Sequence, residues 1–401
     1  MSRWLSVIGL TERGLDGLTA EARALIDQAE LIVGGERHLA LVPAGKAERH
    51  TWQSPLRLTI EEILRWRGRA VVVLASGDPM WFGVGVTLAR HVAQDEMRVL
   101  PQVSAFTLAA ARLGWSLSDT DCFTLHGRPL DLMNGSVFPG ARLLMLTDDG
   151  AAPALIARRL TELGYGASRV VALEHMDGPA EAAIESKAAG WGDRQTADLN
   201  TVAVECRAER GVAVTARTPG LPDDAFTHDG QLTKREIRAA ALAKLMPLPG
   251  ALLWDVGAGC GSIAIEWMRA ARGARAIAIE SDSDRVILIE TNMRTLGTPK
   301  LAIVKGKAPA ALDGLAQPSA IFLGGGVSTA GLIERCWAAL PSGGRLVAHA
   351  VTVESEARLA GFRAVCAGDL TRIAIQRAEP IGPHLAWRPL MPVTQLSAVK
   401  P

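Results

Sequence analysis

Several large classes of protein are excluded by what this chain lacks. Among its 401 residues there are five cysteines (Cys122, Cys206, Cys260, Cys336 and Cys366), an odd set without a C-x-x-C pair. That argues for a reducing compartment and against a disulfide framework or a structural zinc. No apolar run approaches the ~18 residues of a membrane span. The apolar start, Leu5 to Leu10, is short, contains Gly9 and runs into Thr11, Glu12 and Arg13, so it reads as a first strand and not as a signal peptide. Neither sign of charge prevails: Lys plus Arg is 43 against 42 Asp plus Glu, a net charge of +1. No global basic field therefore exists to hold a nucleic-acid backbone. No His/Cys/carboxylate cluster has metal-ligand spacing, so no metal is expected, and no nucleophile elbow marks a serine hydrolase. With 48% hydrophobic and 21% charged residues, the composition is that of a soluble, cytoplasmic globular protein, neither disordered nor fibrous.

What is present is a two-part α/β pattern. The length predicts two or three domains. Up to about residue 210, short apolar runs (Trp4–Ile8, Leu31–Val33, Ala70–Ala75, Arg142–Leu146, Val170–Leu173, Val202–Val204) are separated by helix-like segments. The alternation predicts parallel sheet with crossover helices. The stretch Thr215 to Asp224 then carries two prolines, a glycine and two acids, a composition that interrupts regular structure. The expected division is a first domain over 1–212, a linker over 213–224 and a second domain over 225–401. In the second, a helix over Lys234–Leu245 precedes the strand Ala251–Val256, and further helices and strands alternate as far as Arg345–Ala350. This pattern predicts a doubly wound sheet with its ligand at the carboxyl ends of the strands.

The most informative local motif is Asp255-Val-Gly-Ala-Gly-Cys-Gly-Ser262, between an apolar strand and a helix. Glycines at 257, 259 and 261 allow close approach of a ligand to the backbone, and the helix start offers N–H groups to an anion. Glu280 ends the next strand, near the ~20-residue offset of a ribose-binding carboxylate. A dinucleotide turn requires a small third residue at position 262, but there the third glycine comes one place early. The G-x-G-x-G spacing after an acid resembles the S-adenosylmethionine (SAM) turn of Rossmann-like methyltransferases more than a nicotinamide site.

Upstream lies Asp229-Gly-Gln-Leu-Thr-Lys-Arg-Glu-Ile-Arg238 and downstream Gly306-Lys-Ala-Pro309. Together with the glycine turn these segments resemble the family of precorrin methyltransferases that act at carbon 15. The resemblance implies that Thr233, Gly257, Ala258, Gly259, Cys260, Gly261, Glu280 and Ala308 line a SAM site. For Lys234, Arg235 and Arg238 two readings stay open, a solvated helix face or a grip on the carboxylates of a tetrapyrrole. His228, Asp229 and Glu236 are candidate proton donors or acceptors, and each is equally able to cap or pair locally.

In the first half, Ala75-Ser-Gly-Asp-Pro-Met-Trp-Phe-Gly83 ends an apolar strand. Leu100-Pro-Gln-Val-Ser-Ala-Phe106 opens a helix, and Leu143–Leu146 leads into Thr147. These resemble the tetrapyrrole methylase family, in which two α/β lobes bind SAM in the trough between them. The cofactor contacts so implied are Gly77, Asp78, Trp81, Ser104, Ala105 and Thr147. Two departures stand out: the glycine-rich loop after the first strand keeps only Gly9, and Gln102 replaces the glycine after the proline. The first loop is therefore expected to serve substrate more than SAM. Leu125-His-Gly-Arg128 is typical of the carbon-5 branch, with His126 read as structural.

The succession of these two halves resembles the fused, decarboxylating precorrin C(5,15)-methyltransferase family. It implies two SAM sites per chain and a small-molecule tetrapyrrole as substrate, precorrin-6B (6Y). That substrate would be methylated at carbons 5 and 15 with decarboxylation of the ring C acetate, giving precorrin-8X in cobalamin biosynthesis. No nucleic acid or membrane partner is implied, and a homo-oligomer is. Methyl transfer from a sulfonium to an enamine-like carbon is chiefly a positioning task. The alternatives are an RNA methyltransferase, a non-catalytic tetrapyrrole carrier and a nicotinamide oxidoreductase.

Overall fold

Strands whose two faces are both covered read as continuous apolar runs, and the first half begins with such strands. A computed structural model describes residues 3–401. In it β1 (Leu5–Leu10), β2 (Leu31–Val33), β3 (Glu48–His50), β4 (Val71–Ser76) and β5 (Met97–Leu100) form a sheet in the order β3-β2-β4-β1-β5, parallel throughout. Alternate side chains feed two cores: Leu5, Val7, Val71 and Val73 on one face, and Ile8, Leu10, Val72 and Leu74 on the other. This is the period-2 geometry of a strand buried on both sides.

The second sheet departs from the parallel expectation. It contains β6 (Asp121–Thr124), β7 (Arg142–Leu146), β8 (Arg169–Glu174), β9 (Ala182–Lys187) and β10 (Asn200–Glu205), in the order β6-β7-β10-β8-β9. Only β6 and β7 are parallel; β10 runs antiparallel to both β7 and β8, and β9 to β8. Strand direction is a property of connection length and pairing, which apolar periodicity does not encode. The helix Ala105–Leu113 packs Phe106, Ala109 and Ala110 against this sheet.

The described residues divide into two compact units. One takes the chain up to Arg128 together with Phe138–Val212; the other takes Pro129–Val137 and Ala213–Pro401. The segment expected as a linker is tied into the second unit. Gly220 and Leu221 donate N–H bonds to Glu266 at 2.6 and 3.0 Å, and Leu221 is buried in its core. Proline and glycine interrupt helices and strands, but they do not prevent a segment from packing.

The second unit holds a seven-stranded sheet of β11 (Leu252–Val256), β12 (Arg275–Glu280), β13 (Ala302–Lys305), β14 (Ala320–Leu323), β15 (Arg345–Ala350) and β16 (Asp369–Ile373), completed by one strand near the end of the chain. A separate hairpin joins β17 (Gln376–Ile381) to β18 (His384–Pro389), and β19 (Val393–Val399) follows. The sheet order is β13-β12-β11-β14-β15-β19-β16, parallel from β13 to β15 and antiparallel at β19 and β16. The regular pattern read in the sequence thus stops four strands early. Strands β16 to β18 are largely exposed and partly polar, so their apolar signal is weak. Among the described residues no helix is long and apolar enough to cross a membrane.

Candidate functional sites

In the second unit a cavity of about 840 Å³ opens at the carboxyl ends of β11, β12, β14 and β15, within the range of ligand sites. Thr233, Lys234, Gly257, Ala258, Gly259, Cys260, Glu280 and Ala308 line it. The three glycines of the turn all have φ between 59° and 80°, yet their surroundings differ. A Cβ at Gly257 would sit 3.0 Å from the Gly325 nitrogen, and one at Gly261 3.1 Å from Ile289; one at Gly259 would find nothing nearer than the Gln231 carbonyl at 3.8 Å. Gly257 and Gly261 are therefore packing glycines, and only Gly259 leaves open space on its cavity side. Gly261, expected to contact cofactor, lies outside the cavity lining and caps the helix Ser262–Ala270 without a side chain.

Glu280 closes the turn from the side. Its Oε2 accepts the Gly259 N–H at 2.8 Å, and its Oε1 accepts those of Ser281 and Asp282 at 2.8 and 3.0 Å. A carboxylate offers about four lone-pair sites, so capacity remains for one hydroxyl of a ligand. Beneath the turn, Asp255 is buried: its Oδ2 accepts the Ala264 N–H at 3.0 Å, while Oδ1 has no partner among the described residues. Burial pushes its carboxyl up to about 7, against the pull of the Ala264 bond and with a push from Glu280. Buried Asn292 ties the turn to the preceding segment, donating to the carbonyls of Cys260 (3.0 Å) and Thr227 (2.9 Å) and accepting the Thr227 N–H at 2.8 Å.

The charged candidates of this half part company. Arg238 is wholly buried: its Nε donates to Glu266 at 2.6 Å, its Nη1 to Asp223 at 3.2 Å and to the Thr233 carbonyl, and its Nη2 to the Leu221 carbonyl. It holds the segment before the helix Arg235–Leu245 in place and is out of reach of a substrate, so the substrate role is withdrawn. A buried guanidinium must be paired to remain buried, and a non-local partner such as Glu266 cannot be read from local spacing. Arg235 is exposed and outside the cavity; Lys234 alone of the three lines it.

None of the proton-transfer candidates faces the cavity. The His228 Nδ1 accepts the Gly230 N–H at 2.9 Å. Asp229 accepts the Gln231 N–H and pairs with Arg285, both at 2.9 Å. Glu236 pairs with Arg377 at 2.9 Å. Each makes a local cap or surface pair, the bland outcome for such residues. The reading missed His349, at the carboxyl end of β15, which lines the cavity. Its Nε2 meets the Gln395 Oε1 at 2.9 Å and its ring stands edge-on to Phe322. Burial lowers it to about 4, so it is neutral at physiological pH. Its place at a strand's carboxyl end was the available signal.

The first unit has its own cavity, of about 510 Å³, reached by residues of both sheets. Gly77, Trp81, Ser104, Ala105 and Thr147 line it. Ser104 caps the helix Ala105–Leu113 by accepting the Thr107 N–H at 3.1 Å. Trp81 packs on Phe106 with ring centroids 5.1 Å apart. Thr147 donates to Asn200 at 2.7 Å. Asp78 is not in the lining; its carboxylate accepts the Met80 N–H at 2.8 Å and so shapes the turn. Gly9 is wedged against backbone, since a Cβ there would fall 1.9 Å from the Gly77 carbonyl oxygen. His126 lines the cavity, mostly exposed, and pairs with Asp148 at 2.9 Å.

With both cavities placed, comparison with known proteins is decisive. The family model for tetrapyrrole (corrin/porphyrin) methylases matches residues 5–190, and that for the precorrin methyltransferase domain matches residues 224–400. A precorrin-6Y C(5,15)-methyltransferase (decarboxylating) of Sinorhizobium is 49% identical over the whole of this chain and 97% of its own length. The chain belongs to the family of precorrin-6Y C(5,15)-methyltransferases.

Shorter relatives match part of the chain. A cobalt-precorrin-7 C(5)-methyltransferase of Salmonella typhimurium is 32% identical over 47% of this chain and 89% of its own. A probable cobalt-precorrin-6B C(15)-methyltransferase (decarboxylating) of Pyrobaculum calidifontis is 32% identical over 45% of this chain and 96% of its own. Methyltransferases of this family draw their methyl group from SAM, and the second unit has the means to hold it. The open side of Gly259, the start of the helix Ser262–Ala270 and the carboxylate of Glu280 at the end of β12 suit an anionic amino-acid end and a ribose hydroxyl.

Proposed function

We propose that the chain methylates precorrin-6B (6Y) at carbons 5 and 15 and decarboxylates the ring C acetate, giving precorrin-8X in cobalamin biosynthesis. The observation that carries this is full-length similarity to a C(5,15)-methyltransferase, combined with two separate cavities in one chain. The first unit is assigned carbon 5 and the second carbon 15 with the decarboxylation, each with its own SAM. This division is supported by half-length relatives named for one carbon each.

SAM supplies a methyl group already made electrophilic by the sulfonium. The work left to the protein is to hold a nucleophilic carbon in line and keep water out. In the second cavity Gly259 N–H and Glu280 fix one side, while Lys234 and Lys307 offer charge to carboxylates; charge-assisted bonds of this type contribute about 1.5–3 kcal/mol each. Neutral His349 and Phe322 give the wall near β14 and β15 an apolar character. A carboxylate placed there loses solvation, which favours breaking of its carbon–carbon bond: carbon dioxide leaves and the bonding electron pair passes into the conjugated ring, to be taken up with a proton. Nothing found supports the RNA methyltransferase alternative, and the balanced charge of the chain argues against it. The reading extends to a cytoplasmic homo-oligomer acting on a small molecule.

The test is mass spectrometry of precorrin-6B incubated with the protein and SAM. Two methyl gains with loss of one carbon dioxide are expected, and an unchanged mass would sink the reading. Calorimetry with S-adenosylhomocysteine should give two sites per chain; one site would leave one cavity without a cofactor role.

A further inference from the structure

On the wall of the first cavity a charged cluster joins three separate elements. Glu12 follows β1, Arg37 lies on the short helix Glu36–Ala40, and His175 follows β8; all three line the cavity. Arg37 Nη1 donates to Glu12 Oε1, and His175 Nδ1 meets Glu12 Oε2 at 3.2 Å. Arg37 Nη2 donates to Ser76 at 2.9 Å, and Ser76 is also 2.9 Å from the His38 Nε2. Burial works against a charge on Glu12, but the bonds from His175 and Arg37 outweigh it and hold the carboxyl below the usual range. An ionised Glu12 only accepts hydrogen bonds. His175 therefore carries its proton on Nδ1, and its Nε2, without a partner among the described residues, is the basic nitrogen.

The backbone at His175 is unusual as well. Its φ is +46°, and that of Asp177 is +66°. Non-glycine residues occupy this region at a cost and do so preferentially at functional sites. The turn is held by the Gly178 N–H on the His175 carbonyl (3.0 Å) and by the Asp177 N–H on Glu181 (2.7 Å). The same turn places the His175 ring, one third exposed, in the cavity.

We propose that His175, oriented by Glu12, is the proton acceptor for methylation in the first unit. This rests on the functional reading above and adds a residue to it. As the new carbon–carbon bond forms, the methyl–sulfur bond breaks and its electron pair stays on sulfur. The positive charge formerly on sulfur is then on the ring, and it is discharged as a proton. His175 Nε2 receives that proton, and the imidazolium so formed is stabilised by ionised Glu12. Arg37, itself held by Ser76, fixes the carboxylate, as an orienting group fixes a carboxylate–imidazole pair in general acid–base catalysis. His38 is not the acceptor: burial and the neighbouring Arg37 lower it to about 4.

The experiment uses the full chain, SAM with a carbon-13 methyl, and the tetrapyrrole. In His175→Asn, kcat for carbon-5 labelling should fall by on the order of 10²- to 10⁴-fold, with KM and S-adenosylhomocysteine affinity unchanged. Carbon-15 labelling should persist, so that a singly methylated, decarboxylated product accumulates. Glu12→Gln keeps the shape of the pair and should show a smaller loss in the same step; it decides the matter should His175→Asn fail to fold. Undiminished carbon-5 labelling in a folded variant overturns the proposal. Loss of S-adenosylhomocysteine binding in parallel with the rate also overturns it, since the pair would then be holding the cofactor. If the unmodified protein labels neither carbon, the functional reading falls and this proposal with it, and the variants are not needed to see it.

Discussion

The two cavities are built by different means. In the second unit the ligand side is mostly backbone: a turn with three left-handed glycines, the N–H groups that saddle Glu280, and a helix start whose cap residue is a glycine. In the first unit it is mostly side chain: Glu12, Arg37, Ser76, His175, Trp81 and Thr147 arrive from both sheets. A backbone site is written in consecutive residues, because a turn, a helix start and the next strand's last residue are fixed by local geometry. A side-chain site depends on which distant strand ends meet. The contrast predicts that a single change in the turn disables one cavity outright, whereas the other yields in steps.

Gly259→Asp is the sharpest way to break the comparison. The protein itself leaves room for a Cβ there, and aspartate tolerates positive φ better than most residues, so the fold should survive. The space lost is the ligand's, and the new carboxylate competes for the helix start. Carbon-15 methylation should fall by on the order of 100-fold or more, as for a misplaced reactant, while carbon-5 methylation continues. The position of isotopic label in the product decides, with circular dichroism as the control. Retained carbon-15 labelling would remove the turn from the site.

Next in size is Arg238→Ala. Removing one partner of a buried ion pair leaves Glu266 uncompensated, at a cost of about 3–5 kcal/mol. Urea unfolding of the second unit should show it, although Arg238 lines neither cavity. Lys234→Ala, one turn away and in the cavity, should instead leave stability alone and raise KM for the tetrapyrrole. If Lys234→Ala destabilised and Arg238→Ala did not, the assignment of these two cations would be reversed.

The smallest effect concerns Asp255. Its folded-state pKa is raised to about 7, against about 3.9 for an unperturbed Asp. The native state keeps a proton that the unfolded chain releases. The stability tied to this group is thus fully present below about pH 4 and is lost as pH rises through about 7. Asp255→Asn is neutral throughout, so stability at pH 5 and pH 8 should differ less in the variant than in the unmodified protein. Equal differences would mean that Asp255 ionises alike in both states.

Legibility followed the same division. The apolar runs placed strands such as β2, β7 and β15 within a residue or so of where they lie. The glycine turn and Glu280 were legible together because they follow consecutive strands of one doubly wound sheet, whereas Thr233 and Ala308 came from the family resemblance. Gly261 and Asp78 lie in the expected loops but outside the cavity linings, since whether a loop residue faces a cavity or packs inward depends on the neighbour it meets: Ile289 for Gly261, the Met80 N–H for Asp78. Arg238 looked like a surface cation because Glu266, its partner, lies 28 residues away in sequence.

The sequence by itself determined the two α/β halves, the glycine turn with its acid, and the loops that begin each cavity, because these follow from short-range steric and hydrogen-bonding rules. Tertiary structure alone decided the antiparallel return of β10, the packing of 213–224 into the second unit, the burial of Arg238 and the meeting of Glu12 with His175. Each of these joins residues far apart in the chain. Such contacts form only where packing removes water and leaves a charge or a backbone group in need of a partner.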